Sequence, residues 1–306
     1  MDESHWHRRV GSQRNWIWRG WRIRYTFERS PAENPAASPP PLIFLHGFGA
    51  SLGHWRHNLQ VLSQSHPVYA LDLLGFGASE KAIAPYDVSL WVELVRDFWR
   101  TFVRRPAIWV GNSVGSLIAL AAVARHPETA KGLVMINLPD PAAQTDMLPP
   151  WMVPGVEFVQ GLVASPIILR PLFYLVRRPS VIRRWVGLAY HNPEAVTDEL
   201  VDILATPPRD RGAARAFSRL FRIMGSSKLG PAVRTLFPQI QVPILLLWGK
   251  QDRLIPLKLA QPHRYREYHP NLELVELENA GHCPHDECPD VVNRKMLDWI
   301  HRIEPF

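Results

Sequence analysis

Cysteine is scarce: Cys283 and Cys288 are the only two in 306 residues. That is too few to staple a secreted disulfide scaffold, so the fold must rest on an ordinary apolar core. Long uncharged runs are missing as well. The most lipophilic region, residues 152–176, is broken by Glu157 and Arg170 and carries Pro154, Pro166 and Pro171. It falls short of the ~20 apolar residues that a spanning helix needs. The first residues, Met1-Asp2-Glu3-Ser4-His5-Trp6-His7, have two acids and no apolar h-region, which argues against a targeting peptide. Together these absences predict a protein inside a cell, cytoplasmic or lying peripherally on a membrane. Acidic residues are the minority charge, 28 against 35 Lys and Arg, for a net +7. The surplus suits an anionic surface, but no nucleic-acid module accompanies it, so nucleic acid is not an expected partner.

What is present is a large apolar fraction, 46% of residues, with 12 tryptophans. Near-alternation of Trp16, Trp18, Trp21, Ile23, Tyr25 and Phe27 around Arg19-Gly20 predicts an antiparallel hairpin. Residues 30–41 read as a Pro/Ala/Ser connector without core residues. Short buried strands follow at Leu42-Ile43-Phe44-Leu45 and Val68-Tyr69-Ala70-Leu71. Each runs into a glycine-bearing loop, His46-Gly47-Phe48-Gly49 and Asp72-Leu73-Leu74-Gly75-Phe76-Gly77, at what would be one carboxyl edge of a parallel sheet. Trp91, Leu94, Val95, Phe98 and Phe102 recur at helical spacing and predict an amphipathic helix over residues 87–104. Strand and helix alternate up to Gly132-Leu133-Val134-Met135-Ile136. The rhythm then stops and resumes at Pro243-Ile244-Leu245-Leu246-Leu247-Trp248. The expected architecture is α/β with a mostly parallel sheet: a core over 1–138 and 241–306, with 139–240 as an inserted helical cap. Leu272-Glu273-Leu274-Val275-Glu276-Leu277 predicts an edge-type strand and residues 291–303 a closing helix.

The apolar run 107–110 ends in Gly111-Asn112-Ser113-Val114-Gly115 and leads into a helical stretch from Leu117. Strand, sharp turn and helix in that order raise a serine hydroxyl above the sheet edge. A serine needs a base within hydrogen-bond reach, itself held by a buried acid. Asp252 follows the strand that ends at Trp248, and His282 follows the next strand after Glu278-Asn279-Ala280-Gly281. Two rivals stand beside them: His285, three residues on, for the base, and Asp140, past the preceding strand, for the acid. Backbone N–H groups of Phe48 and Val114 are placed to receive an oxyanion, with His46 shaping its loop and Asp72 stabilising its own turn. His282-Cys283-Pro284-His285-Asp286-Glu287-Cys288 has zinc-like spacing, but a metal there would consume the base. Neither metal nor cofactor is expected.

These residues resemble the α/β-hydrolase superfamily, and within it the pheophytinase and chlorophyll dephytylase group of plants and cyanobacteria. The likeness is carried by His46-Gly47-Phe48-Gly49-Ala50-Ser51, His54-Trp55-Arg56, residues 69–77, Gly111-Asn112-Ser113, and Ala280-Gly281-His282-Cys283-Pro284-His285-Asp286-Glu287. Val114 and Ser116 depart from that group, which tends to have Leu and a second Gly there. The resemblance implies an α/β-hydrolase fold and hydrolysis of the phytyl ester of chlorophyll or pheophytin; the expected location is cytoplasmic or peripheral on a photosynthetic, thylakoid-type membrane. Trp151, Phe158 and Phe173, with Ile167, Ile168 and Leu172, are candidates to line the cap around a prenyl chain. Competing functions are hydrolysis of another hydrophobic ester, C–C hydrolysis of ring-cleavage products, and a catalytically silent pigment- or partner-binding role. A serine at the elbow disfavours dehalogenases and epoxide hydrolases, whose nucleophile is Asp.

Overall fold

Apolar runs of four to seven residues with no polar face become strands where both sides of the sheet are covered. The computed structural model describes residues 6–30, 39–142, 165–224 and 226–304. In it such runs form the centre of an eight-stranded sheet of order β1-β2-β4-β3-β5-β6-β7-β8. The strands are β1 (Gln13–Trp18), β2 (Trp21–Glu28), β3 (Leu42–Leu45), β4 (Val68–Leu71), β5 (Ala107–Asn112), β6 (Ala130–Ile136), β7 (Ile244–Gly249) and β8 (Leu272–Leu277). β3 to β8 are parallel, while the hairpin β1-β2 joins β4 antiparallel. Arg19 and Gly20 both take positive φ, 50° and 86°, which is the two-residue turn whose twist matches flanking strands.

Two apolar layers cover the sheet. On one face lie Val88–Phe98 and Val114–Arg125, contributing Trp91, Phe98, Leu117 and Leu120. On the other lie Arg56–Leu62 and Pro289–Ile303, contributing Leu59, Val292, Met296 and Trp299. The helix after Ser113 is buried along nearly its whole length, as an all-apolar helix must be. It can lie that close only because two glycines lack side chains. A Cβ on Gly111 would stand 2.4 Å from the Gly115 carbonyl, and one on Gly115 would stand 2.2 Å from the Leu45 carbonyl oxygen.

Two local expectations need correction. The connector does contribute to the core at its end: residues 39–41 are buried. The Pro41 carbonyl accepts from Ile108 N–H at 2.9 Å and that of Pro40 meets the His66 ring at 3.0 Å, so the segment is drawn in to complete the sheet's lower edge. The helix from Val88 is α-helical only to Phe98 and continues as a wider π turn, Trp99–Val103, before Arg104 at φ 58°.

The loops above the sheet are tied by buried titratable groups. His46 Nδ1 donates to the Gly47 carbonyl at 2.8 Å, and its Nε2 accepts from Leu73 N–H at 3.0 Å, joining the loops after β3 and β4. Asp72 accepts from Leu52 and Ala78 N–H at 2.6 and 2.7 Å. Desolvation holds His46 at about 4 and, with the neighbouring Arg56 charge, His54 at about 3, and drives buried His285 well below its usual range. It raises Asp72 to about 6 against its backbone donors.

A histidine whose folded value lies below the unfolded 6.5 takes its proton only on unfolding. Its contribution is therefore complete above pH 6.5 and is lost as pH falls toward the folded value. Asp72, raised above its unfolded 3.8, acts in the opposite sense between 3.8 and about 6. As pH falls from 6.5 toward 5, three histidines act in the first sense and one aspartate in the second, so the histidines prevail. The melting temperature is expected to fall from about pH 7 to about pH 5. Thermal melts that rise over that interval would show Asp72 prevailing and overturn the balance.

Candidate active site

Ser113 joins β5 to its helix at φ 54°, ψ −124°. Positive φ in a residue with a Cβ costs of order 1–2 kcal/mol, and it persists because both neighbours are clamped. Ser113 N–H donates to the Ile136 carbonyl at 2.8 Å, and its carbonyl accepts from Ser116 N–H at 2.8 Å. The buried Ser116 hydroxyl lies 2.7 Å from the Gly111 carbonyl and accepts from Ile136 N–H at 3.0 Å, pinning strand to helix across the bend. The Ser113 hydroxyl does not cap the helix it begins and lines a cavity instead.

His282 lines the same cavity. Its Nδ1 lies 2.7 Å from Asp252 Oδ2, so with Asp252 ionised the Nδ1 carries the proton and Nε2 is the free acceptor. The Asp252 side chain is wholly buried and its remaining capacity is filled. Oδ2 accepts from Asn137 Nδ2 at 2.6 Å, and Oδ1 from Leu254 and Ile255 N–H at 2.8 and 2.9 Å. Among the described residues the imidazole's hydrogen bond is to Asp252 alone. Contacts to a nucleophile commonly tighten only when substrate is bound.

The two rivals have other partners. His285 is fully buried between Trp55 and His54, with ring centroids at 4.2 and 4.6 Å, and neither of its ring nitrogens has a hydrogen-bond partner. Asp140 also faces the cavity, but its carboxylate accepts from Ala142 and Val233 N–H at 3.0 and 3.2 Å. The loop bearing Phe48 packs against the elbow: a Cβ on Gly47 would stand 3.3 Å from Ser113 Cβ. Phe48 lines the cavity and meets Phe76 edge-on at 5.5 Å. Val114 is the first residue of its helix, where N–H groups have no intrahelical acceptor.

The cavity encloses about 1380 Å³. Its floor is the sheet edge at Ser113 and His282, and its roof comes from the helices Pro166–Val176, Pro179–Ala189 and Ala213–Met224 through Phe173, Val186, Phe217 and Leu220. Phe173 is buried against Phe217 at 5.1 Å. Trp151 and Phe158 lie outside the described residues.

Sequence reasoning missed several residues that hold the site. Asn137, at φ 49°, grips Asp252 with its amide nitrogen while its oxygen accepts from Gly249 N–H at 3.3 Å. Position alone marked it, one residue past a strand. The histidine loop is also fastened to the roof. His282 N–H donates to the Ala189 carbonyl at 2.6 Å, and Glu287 accepts from Gly281 N–H at 2.7 Å and from Asn192 N–H at 2.5 Å. Beneath it Tyr190 donates to Asp286 at 2.6 Å, and Asp286 is paired with Arg56 at 2.7 Å. Burial raises the Tyr190 phenol well above its ordinary value, which keeps it a donor.

Comparison with known proteins agrees with this fold. Residues 42–295 match the Alpha/beta hydrolase family. The chain is 25% identical over 92% of its length to a chloroplast pheophytinase of Arabidopsis thaliana, and that match spans 65% of the plant protein. It is 24% identical to the uncharacterized hydrolase YugF of Bacillus subtilis, over 85% of this chain and 89% of that one. Its fold superposes on the crystal structure of a bacterial membrane phospholipase A with a TM-score of 0.75 at 24% identity, covering 98% of this chain and 89% of the other. With residues 42–295 matching its model, the chain belongs to the Alpha/beta hydrolase family.

Proposed function

We propose that this chain is a serine hydrolase that cleaves a carboxylic ester of a hydrophobic substrate, with the phytyl ester of chlorophyll or pheophytin as the substrate favoured by resemblance. One observation carries this function: the buried Asp252–His282 pair at 2.7 Å opens onto the same apolar cavity as Ser113. In the reaction Ser113 Oγ attacks the ester carbonyl as His282 Nε2 takes its proton, and Asp252 stabilises the imidazolium. The developing oxyanion is received by the N–H groups of Phe48 and Val114. The alcohol then leaves with the proton from His282, and water activated by the same imidazole releases the acid. In this scheme residues 1–138 and 241–306 form the catalytic core and 139–240 the cap.

The cavity supports a bulky substrate. At about 1380 Å³ it exceeds the ~300–1,000 Å³ of ordinary small-molecule sites. Phe173, Phe217 and Leu220 give a long hydrocarbon chain apolar walls. The plant relative, a pheophytinase, supports the choice of a phytyl ester.

Incubation with pheophytin a, chlorophyll a and aryl esters, with phytol detected chromatographically, tests the substrate. Release of phytol is expected. Turnover of aryl esters with none from either pigment would remove the tetrapyrrole and leave the esterase. Ser113→Ala and His282→Ala are each expected to lower kcat by about 10⁴-fold or more; the melting temperature should hold in Ser113→Ala, which keeps the Cβ, and fall in His282→Ala, which takes a donor from buried Asp252. Retained activity in Ser113→Ala would refute the nucleophile.

Asn137→Gly keeps the positive φ but removes the amide that holds Asp252. It is expected to lower kcat roughly tenfold, the worth of about one hydrogen bond to a charged group, with KM little changed. A change confined to KM would show that Asn137 serves substrate binding instead.

A further inference from the structure

Large apolar side chains at the mouth of a cavity are costly to leave in water, and this mouth has five. Leu172, Trp185, Phe221, Leu254 and Leu259 are 37–61% exposed, yet each also lines the cavity that holds Ser113. They come from three roof helices and from the segment after Asp252, so together they ring the opening. Tyr174, Leu175 and Leu188 extend the exposed apolar surface over the first two helices. Large apolar side chains exposed together around one opening mark a surface that meets something apolar.

Charge says what that is. Residues 165–193 contain Arg170, Arg177, Arg178, Arg183 and Arg184 and no Asp or Glu. Arg177, Arg178 and Arg209, with Tyr174 and Pro179, line a notch of their own beside the mouth, with no acid in its wall. Arg177 lies over the Tyr174 ring at 4.6 Å. Of the acids around it, Asp198 pairs with Arg183, Asp210 with Lys81, and Asp140 accepts two backbone N–H groups, while Glu194 stands exposed just past the second helix. Among the described residues no helix is long and apolar enough to cross a membrane. Exposed Trp and Leu beside uncompensated arginines is the pattern of a surface that lies in the headgroup layer of an anionic bilayer.

We infer that the face formed by Pro166–Val176 and Pro179–Ala189, with Leu254 and Leu259 on the opposite lip, docks on an anionic phospholipid bilayer. The notch of Arg177, Arg178 and Arg209 takes a lipid phosphate, and the ring of apolar side chains enters the acyl boundary. Docked this way, the mouth opens into the bilayer and an apolar ligand reaches Ser113 without crossing water. The inference concerns binding alone and stands whichever bond Ser113 attacks.

Flotation of the whole chain with vesicles of pure phosphatidylcholine, and of phosphatidylcholine with roughly a third phosphatidylglycerol, tests it. Binding to the anionic vesicles is expected to be at least roughly tenfold stronger and to weaken with salt. The double variant Arg178→Glu, Arg209→Glu should lose the preference for phosphatidylglycerol. Trp185→Ser with Leu259→Ser should lose binding to both compositions, with melting temperatures unchanged in either variant. Absence of vesicle binding, or variants that bind as the parent does, would overturn the proposal. A concentration-dependent dimer abolished by the Trp185→Ser, Leu259→Ser pair, without vesicle binding, would assign the face to a second copy of this chain and overturn it equally.

Discussion

The rest of the site depends on one buried carboxylate. Asp252 has no access to water, and a lone charge in that position would be untenable. It is kept there by four donors from three loops: Asn137, the backbone of Leu254 and Ile255, and the imidazole of His282. Each donor is also a positional constraint. The histidine is held in one tautomer, the loop after β7 is curled over its own strand end, and Asn137 is locked in a left-handed conformation. Removing any one of them leaves an unmet acceptor in a dry environment, which is why the arrangement holds together as a unit.

The second constraint is the close approach of β5 to the helix after Ser113. Two glycines permit it, and the Ser116 hydroxyl bridges it by binding the Gly111 carbonyl and the Ile136 amide. Where the sequence departs from the plant group at this position, the replacement is a small residue that still fits and adds hydrogen bonds of its own. The strain at Ser113 is thus supported from below by β6 and from the side by the helix.

Much of this was readable in advance because the signals are local. Each strand is a short apolar run, each loop at the carboxyl edge begins where the run ends, and Ser113, Asp252 and His282 each follow such a run. The Trp-rich hairpin was legible from alternation around Arg19-Gly20. What was not legible depends on neighbours distant in sequence. Asn137 matters because β6 pairs with β7 in a register that puts Ile136 opposite Leu247, and nothing near Asn137 in sequence states that. The choice between His282 and His285 turns on which ring meets Asp252 and which is enclosed by Trp55 and His54, a matter of packing that spacing alone leaves open. Likewise, residues 39–41 looked like linker because proline carries no strand signal, although their carbonyls complete the sheet.

The bond from His282 N–H to the Ala189 carbonyl, with Glu287 bridging Gly281 and Asn192, carries a consequence for engineering. The roof is not a cassette resting on an independent base, because its second helix, Pro179–Ala189, ends in a carbonyl that holds the backbone of His282. Replacing the insert with that of another hydrolase would therefore disturb the imidazole unless the junction at residues 189–192 were kept. Elsewhere the roof meets the base through ion pairs, Glu199 with Arg9 and Arg56 and Asp210 with Lys81, so a graft there must carry matching charges but leaves the histidine's backbone support in place.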